Sequence, residues 1–165
     1  MLQTVTPLLL AALLLYSPPT PAAGTTPIVV FELELTDGSL EGRHPDHDAR
    51  IELTTETLRE LFARDGRFRL MDPAPAAEAI DRLGPLHGCN GCEVDIAQKL
   101  GARYAVLSRV QKVSSLILGM EINVVDARTG NTVQLEQVSI RGDTDESWIR
   151  GVRYMFRHNL DLDAL

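Results

Sequence analysis

Cys89 and Cys92 are the only two cysteines in this chain of 165 residues, and they sit in the turn-rich segment Pro85-Leu86-His87-Gly88-Cys89-Asn90-Gly91-Cys92. In oxidising surroundings such a pair closes a small disulfide ring, and the intervening Asn-Gly turns tightly enough to allow it. Closing so short a loop contributes only about 2 kcal/mol, so the bridge fastens the start of the helix that follows rather than the whole fold. Thiol-disulfide exchange is the sharper alternative, because a C-x-x-C at a helix start lowers a thiol pKa through the helix dipole. Here Glu93 and Asp95 follow at once and oppose a thiolate, and no early strand places the pair as in a thioredoxin-like unit. Zinc on Cys89, Cys92 and His87 lacks a fourth ligand and needs reduced thiols. The residues favour a static disulfide, with a redox pair as the alternative.

His44-Pro45-Asp46-His47-Asp48 is a second compact set. Imidazole suits transition metals and Asp supplies hard oxygen, so His44, Asp46, His47 and Asp48 are weak metal candidates; Pro45 and the lack of helical spacing argue for a solvated loop. Asp143, Asp145 and Glu146 resemble a general acid and base pair, but a helix N-terminus accounts for them through capping and the dipole. Trp148 shares a helical face with Val152 and Met155, which makes it a core or interface anchor. Together with the polar stretch 36–50, Trp148, Asp143 and Asp145 are the candidate partner contacts. No serine stands in a G-x-S-x-G elbow and no glycine-rich phosphate loop is present, so neither catalysis nor a cofactor is expected.

The composition of the whole chain bounds the class of protein. At 44% apolar, 24% charged and net charge −7, its length suits one globular domain. An excess of 23 acids over 16 bases removes the basis for non-specific nucleic-acid binding. The first 23 residues lack charged side chains and contain Leu8-Leu9-Leu10-Ala11-Ala12-Leu13-Leu14-Leu15, broken by Pro18 and Pro19 and followed by Ala22, Ala23 and Gly24. That is a signal-peptide pattern, with residues 1–23 as leader and 24–165 as the domain. The expected location is the periplasm. No Cys lies near the cleavage region, so no stable membrane anchor is expected after cleavage.

Periodicity sets the elements that position these residues. Ile28 to Leu35 reads as strand one, 36–50 as a long loop, and 53–65 as a helix capped by Thr54 or Thr55 and stopped at Gly66. Phe68 to Met71 is a second strand. Asp72-Pro73 opens a second helix that Gly84 ends, and after the turn-rich loop to Cys92 a third helix carries Val94, Ile96, Ala97 and Leu100 and is ended by Gly101. Tyr104–Val113, Leu116–Val124 and Val133–Ile140 follow as strands, with a hairpin turn at Asp126 to Asn131, and a terminal helix carries Trp148. The order β-α-β-α-α-β-β-β-α requires an α/β fold with a mixed five-stranded sheet and helices on both faces.

Taken together, Phe31-Glu32-Leu33, Cys89-Asn90-Gly91-Cys92-Glu93, Ala97 to Ala102, Val110 to Leu118, Asp126 to Gly130 and Arg141 to Trp148 resemble an uncharacterised family of exported proteobacterial proteins, catalogued as a domain of unknown function. The resemblance spans nearly all of the chain after the leader. It implies an accessory role near periplasmic quinoprotein dehydrogenase systems and names no reaction. More distantly, the crossover helices, Leu100-Gly101-Ala102 and the meander with its Asp-x-x-Thr-Gly turn are similar to the N-terminal domain of TolB and to the CsgG and FlgO lipoproteins, which implies an assembly or interaction module. The chain departs from those lipoproteins in lacking a lipidated cysteine. The function expected is a non-catalytic periplasmic module that binds another exported protein, with a thiol-disulfide protein and a metal-binding protein as the alternatives.

Overall fold

The computed structural model describes residues 24–165, so the leader expected at 1–23 lies outside the described residues. The strands are β1 (Thr26–Val30), β2 (Glu34–Asp37), β3 (Phe68–Leu70), β4 (Tyr104–Lys112), β5 (Leu118–Asp126) and β6 (Thr132–Ile140). The helices are α1 (His47–Asp65), α2 (Ala77–Leu83), α3 (Cys92–Lys99) and α4 (Asp145–His158). The architecture is the expected α/β fold with a mixed, open sheet. It has six strands rather than five, because the predicted first strand is broken in two.

The break is a bulge. Val30 pairs with Val106 and Glu34 with Arg109 in the same parallel ladder, so four steps along one strand match three along the other. The extra residue flips the side-chain alternation: Ile28 and Val30 share one core with Leu33, whereas Val29 and Phe31 belong to the other. The Leu33 N–H leaves the ladder and donates to Thr55 Oγ1 at 2.9 Å. Beyond the bulge, Glu34 and Asp37 face opposite sides of the sheet, and each meets a different set of charged residues.

The sheet order is β3-β1-β4-β5-β6, with β2 continuing beside β4. β1 pairs in parallel with β3 and β4 through helical crossovers, whereas β4, β5 and β6 form an antiparallel meander. Its last turn holds Gly130 at φ 72°, the left-handed conformation that favours glycine. α1 and α4 cover one face around Phe62, whose ring meets Phe68 and Phe156 edge-on at 5.3 and 5.0 Å. α2 and α3 cover part of the other, over Val29, Phe31, Ala105 and Leu107.

α1 starts at His47, inside the stretch read as a loop, and Thr54 and Thr55 are buried mid-helix residues rather than caps. The sequence signal was missing because the first turns bury His47 and Arg50, so apolar periodicity begins only at Ile51. α2, by contrast, is shorter than expected: Asp72 Oδ1 accepts the Ala74 N–H and holds a 3-10 turn at Ala74–Ala76 ahead of it. α4 follows the reading closely, with Thr144 at its N-cap accepting the Ser147 N–H and acids in the first turn.

Candidate functional site

At the end of the sheet where α1 and α4 both begin, charged side chains converge on Asp143. His47 Nε2 lies 2.7 Å from one carboxylate oxygen and Arg50 donates to the other at 2.6 Å. Lys112, the last residue of β4, is 3.3 Å from the same carboxylate and 3.2 Å from Glu41, and it lies opposite Asp37 in the strand register. Arg50 also reaches Asp145 at 2.7 Å, and its guanidinium stands 5.5 Å from the centre of the Trp148 ring. His47 Nδ1 accepts the His44 N–H, so the ring proton sits on Nε2 and is donated to Asp143.

Burial of Asp143 works to raise its carboxyl pKa, but hydrogen bonds from His47 and Lys112 and the nearby positive charges outweigh it and hold the group below the usual carboxylate range. Lys112 shows the converse. Its burial favours the neutral amine, yet Glu41 and Asp143 raise it above the ordinary lysine value. Asp143 and Lys112 are therefore both charged at neutral pH and face each other as a pair.

This cluster holds an apolar tip. Gly38 donates to the Lys112 carbonyl at 3.0 Å, and Glu41 accepts the Ser115 N–H at 3.2 Å. The Asp143 N–H donates to the Ser115 carbonyl at 2.8 Å. The stretch around Leu40 and the β4–β5 hairpin are thus fastened to the same buried charges. Leu40 is fully exposed, and Val113, Leu116 and Ile117 are 60%, 69% and 47% exposed.

The sequence candidates divide accordingly. Asp143 belongs to the cluster, and Asp145 sits on its exposed rim. Trp148 is completely buried between His47, Arg50 and the core, which corrects its reading as a partner contact: the indole anchors α4 and presents no surface. The metal candidates do not converge. His47 turns inward to Asp143, His44 and Asp46 are exposed on the loop, and Asp48 pairs with Arg43. Arg50 and Lys112 were missed, although Lys112 continues the inward alternation Tyr104, Val106, Ser108, Val110 and so was legible as a buried cation.

Cys89 and Cys92 are at disulfide distance, with their Cα atoms 5.6 Å apart, at the entrance to α3. The Glu93 carboxylate accepts the Gly91 N–H and lies 3.4 Å from Cys89 Sγ, where it opposes a thiolate. The ligand atoms of Cys89, Cys92 and Glu93 lie within 4.8 Å of one another, but the two sulfurs are committed to each other. His87 points elsewhere, to Glu34 at 3.0 Å, and Arg109 meets Glu121 on the same face at 2.9 Å. Burial tends to raise the Glu34 carboxyl, but the hydrogen bond and charge of His87 prevail and lower it.

The fold and the crossover order define a class of open mixed α/β domains that occurs in other proteins of known structure. The C-terminal domain of LpoB from Salmonella enterica matches with a TM-score of 0.54 and 19% identity, over 73% of this chain and 85% of that one. Lipoprotein GNA1162 from Neisseria meningitidis matches with a TM-score of 0.54 and 12% identity, over 82% of this chain and 99% of that one. These are likenesses of fold. No curated protein matches the sequence. Residues 26–160 match the family model DUF3280, described as "Protein of unknown function (DUF2380)", and the chain belongs to that family.

Proposed function

We propose that this protein is an exported, non-catalytic accessory module that binds another protein of the periplasm through the tip formed by Leu40, Val113, Leu116 and Ile117. The observation that carries this reading is the exposure of four large apolar side chains on backbone fastened to a buried ion cluster. Apolar side chains gathered at one projecting end mark an interaction surface, and a rigid support lowers the entropy lost on binding. The charged groups that sequence alone offers to chemistry instead make structural contacts with one another. The signal-like pattern of residues 1–23 supports export, as does a fold shared with a lipoprotein. Among the described residues no helix is long and apolar enough to cross a membrane. The partner that the family resemblance favours is a component of a quinoprotein dehydrogenase system.

The test is site-specific photo-crosslinking in cells that export the protein. A crosslinker at Leu116 should give one discrete adduct, identifiable by mass spectrometry, that Leu40→Glu abolishes, whereas a crosslinker at the exposed Arg82 of α2 should give none. Equal adducts from both positions would refute the assignment of the tip.

A further inference from the structure

A second surface lies along α4. Arg150, Arg153, Tyr154, Arg157 and His158 are all exposed and follow i, i+3, i+4, i+7, i+8 spacing, so they form one stripe. Beside the stripe runs β6, the last strand of the sheet, which pairs with β5 alone. An open groove of about 720 Å³ separates them, floored by Val138 to Ile140 and bounded at one end by Arg141. Gly151 lets the helix lie this close: a Cβ there would stand 2.9 Å from Ile140 Cγ2.

Two kinds of interaction are left open here. One is the backbone N–H and C=O groups along the outer side of β6, a nine-residue edge. The other is charge. Arg150 pairs with Glu146 at 2.8 Å, but Arg141, Arg153 and Arg157 pair with no carboxylate among the described residues. In a chain of net charge −7 this is a local concentration of cations. The opposite face of β6 differs in character, with Val133 and Leu135 exposed at 42% and 57%.

We propose that the β6 edge accepts an extended acidic polypeptide segment as a further strand. Residues of an added strand alternate between its two faces. Carboxylates at every second position would face the α4 stripe, and apolar side chains between them would extend the Val133 and Leu135 surface. Main-chain hydrogen bonds supply the affinity and the alternation supplies the specificity. An anionic membrane surface answers the charge but leaves the strand edge unused. This surface is separate from the tip residues, so the inference stands whether or not the tip binds a partner.

The probe is a fluorescein-labelled peptide of about eight residues alternating Glu and Val, a length that suits one strand, titrated against the full chain by fluorescence anisotropy. The expected result is saturable binding that weakens by about tenfold or more in the double variant Arg153→Glu, Arg157→Glu. The same loss is expected with wild-type protein when the alternate peptide nitrogens that face β6 are methylated, because methylation removes strand hydrogen bonds and leaves the charge intact. Absence of peptide binding overturns the proposal. So does equal binding of the methylated probe, insensitivity to the charge reversal, or binding only to phosphatidylglycerol vesicles.

Discussion

His47 Nε2 and Asp143 Oδ2 lie 2.7 Å apart although 96 positions separate them in sequence, and the contact joins the first residue of α1 to the segment entering α4. Both helices therefore begin at the same end of the sheet. They remain side by side to the Phe62–Phe156 contact further along. The Asp143 carboxylate collects His47, Arg50 and Lys112 at once, from the first turn of α1 and the end of β4.

Removal of that carboxylate leaves Arg50 and Lys112 buried without their shared counter-charge. Asp143→Ala should destabilise the fold by roughly 3 to 5 kcal/mol, the range for breaking a buried ion pair from one side. Asp145→Ala, at a residue whose side chain is 62% exposed, should change stability by less than about 1 kcal/mol. Urea unfolding of the two variants measures the contrast, and equal losses would remove Asp143 from the centre of the cluster.

Stability should fall at both pH extremes. Asp143 and Glu34 are depressed in the folded state, so their contributions are present above the unfolded carboxyl values of about 4 and are lost as pH falls through the lower folded values. Lys112 is raised, so its contribution is present below the unfolded value of about 10.4 and is lost as pH rises through the higher folded value. Urea midpoints measured against pH should show both limbs. Asp143→Asn should flatten part of the acid limb, and Lys112→Met should flatten the alkaline one.

The Cys89–Cys92 ring is expected to be a local clasp. The double variant Cys89→Ala, Cys92→Ala should lose no more than about 2 kcal/mol, with amide exchange rising at the entrance to α3 and not across the sheet. With the Glu93 carboxylate at 3.4 Å opposing a thiolate, the reduction potential should lie below about −300 mV. A value near −200 mV with rapid exchange would favour a redox role.

Gly151→Ala sets two effects of opposite sign against each other. Replacing glycine inside α4 gains up to about 1 kcal/mol of helix propensity. The new Cβ would stand 2.9 Å from Ile140 Cγ2 and 3.0 Å from Met120 Sδ. Met120 can bend away, but the Ile140 methyl is held by a stiff β-branched side chain, and overpacking of this kind costs about 1 to 3 kcal/mol. The net expectation is a loss, read as a lower thermal midpoint; a rise would mean that α4 shifts freely on the sheet.

The sequence determined what depends on neighbours along the chain: the apolar runs of β1 and β4, the alternation of β5, the turn at Gly130, the capped acidic start of α4 and the Cys89–Cys92 spacing. From those elements the α/β class, the mixed sheet and helices on both faces follow, because crossovers and hairpins leave few alternatives. The start of α1 was hidden because its buried face is built from His47 and Arg50, which carry no apolar signal. The bulge between Val30 and Glu34 was hidden because an extra residue in an apolar run leaves the run apolar. Only the tertiary structure decided that Trp148 is sealed inside, that His47 serves Asp143 rather than a metal, and that Lys112 is buried among acids. Each of these turns on partners far apart in sequence, and the energy of a buried charge depends on what surrounds it in space.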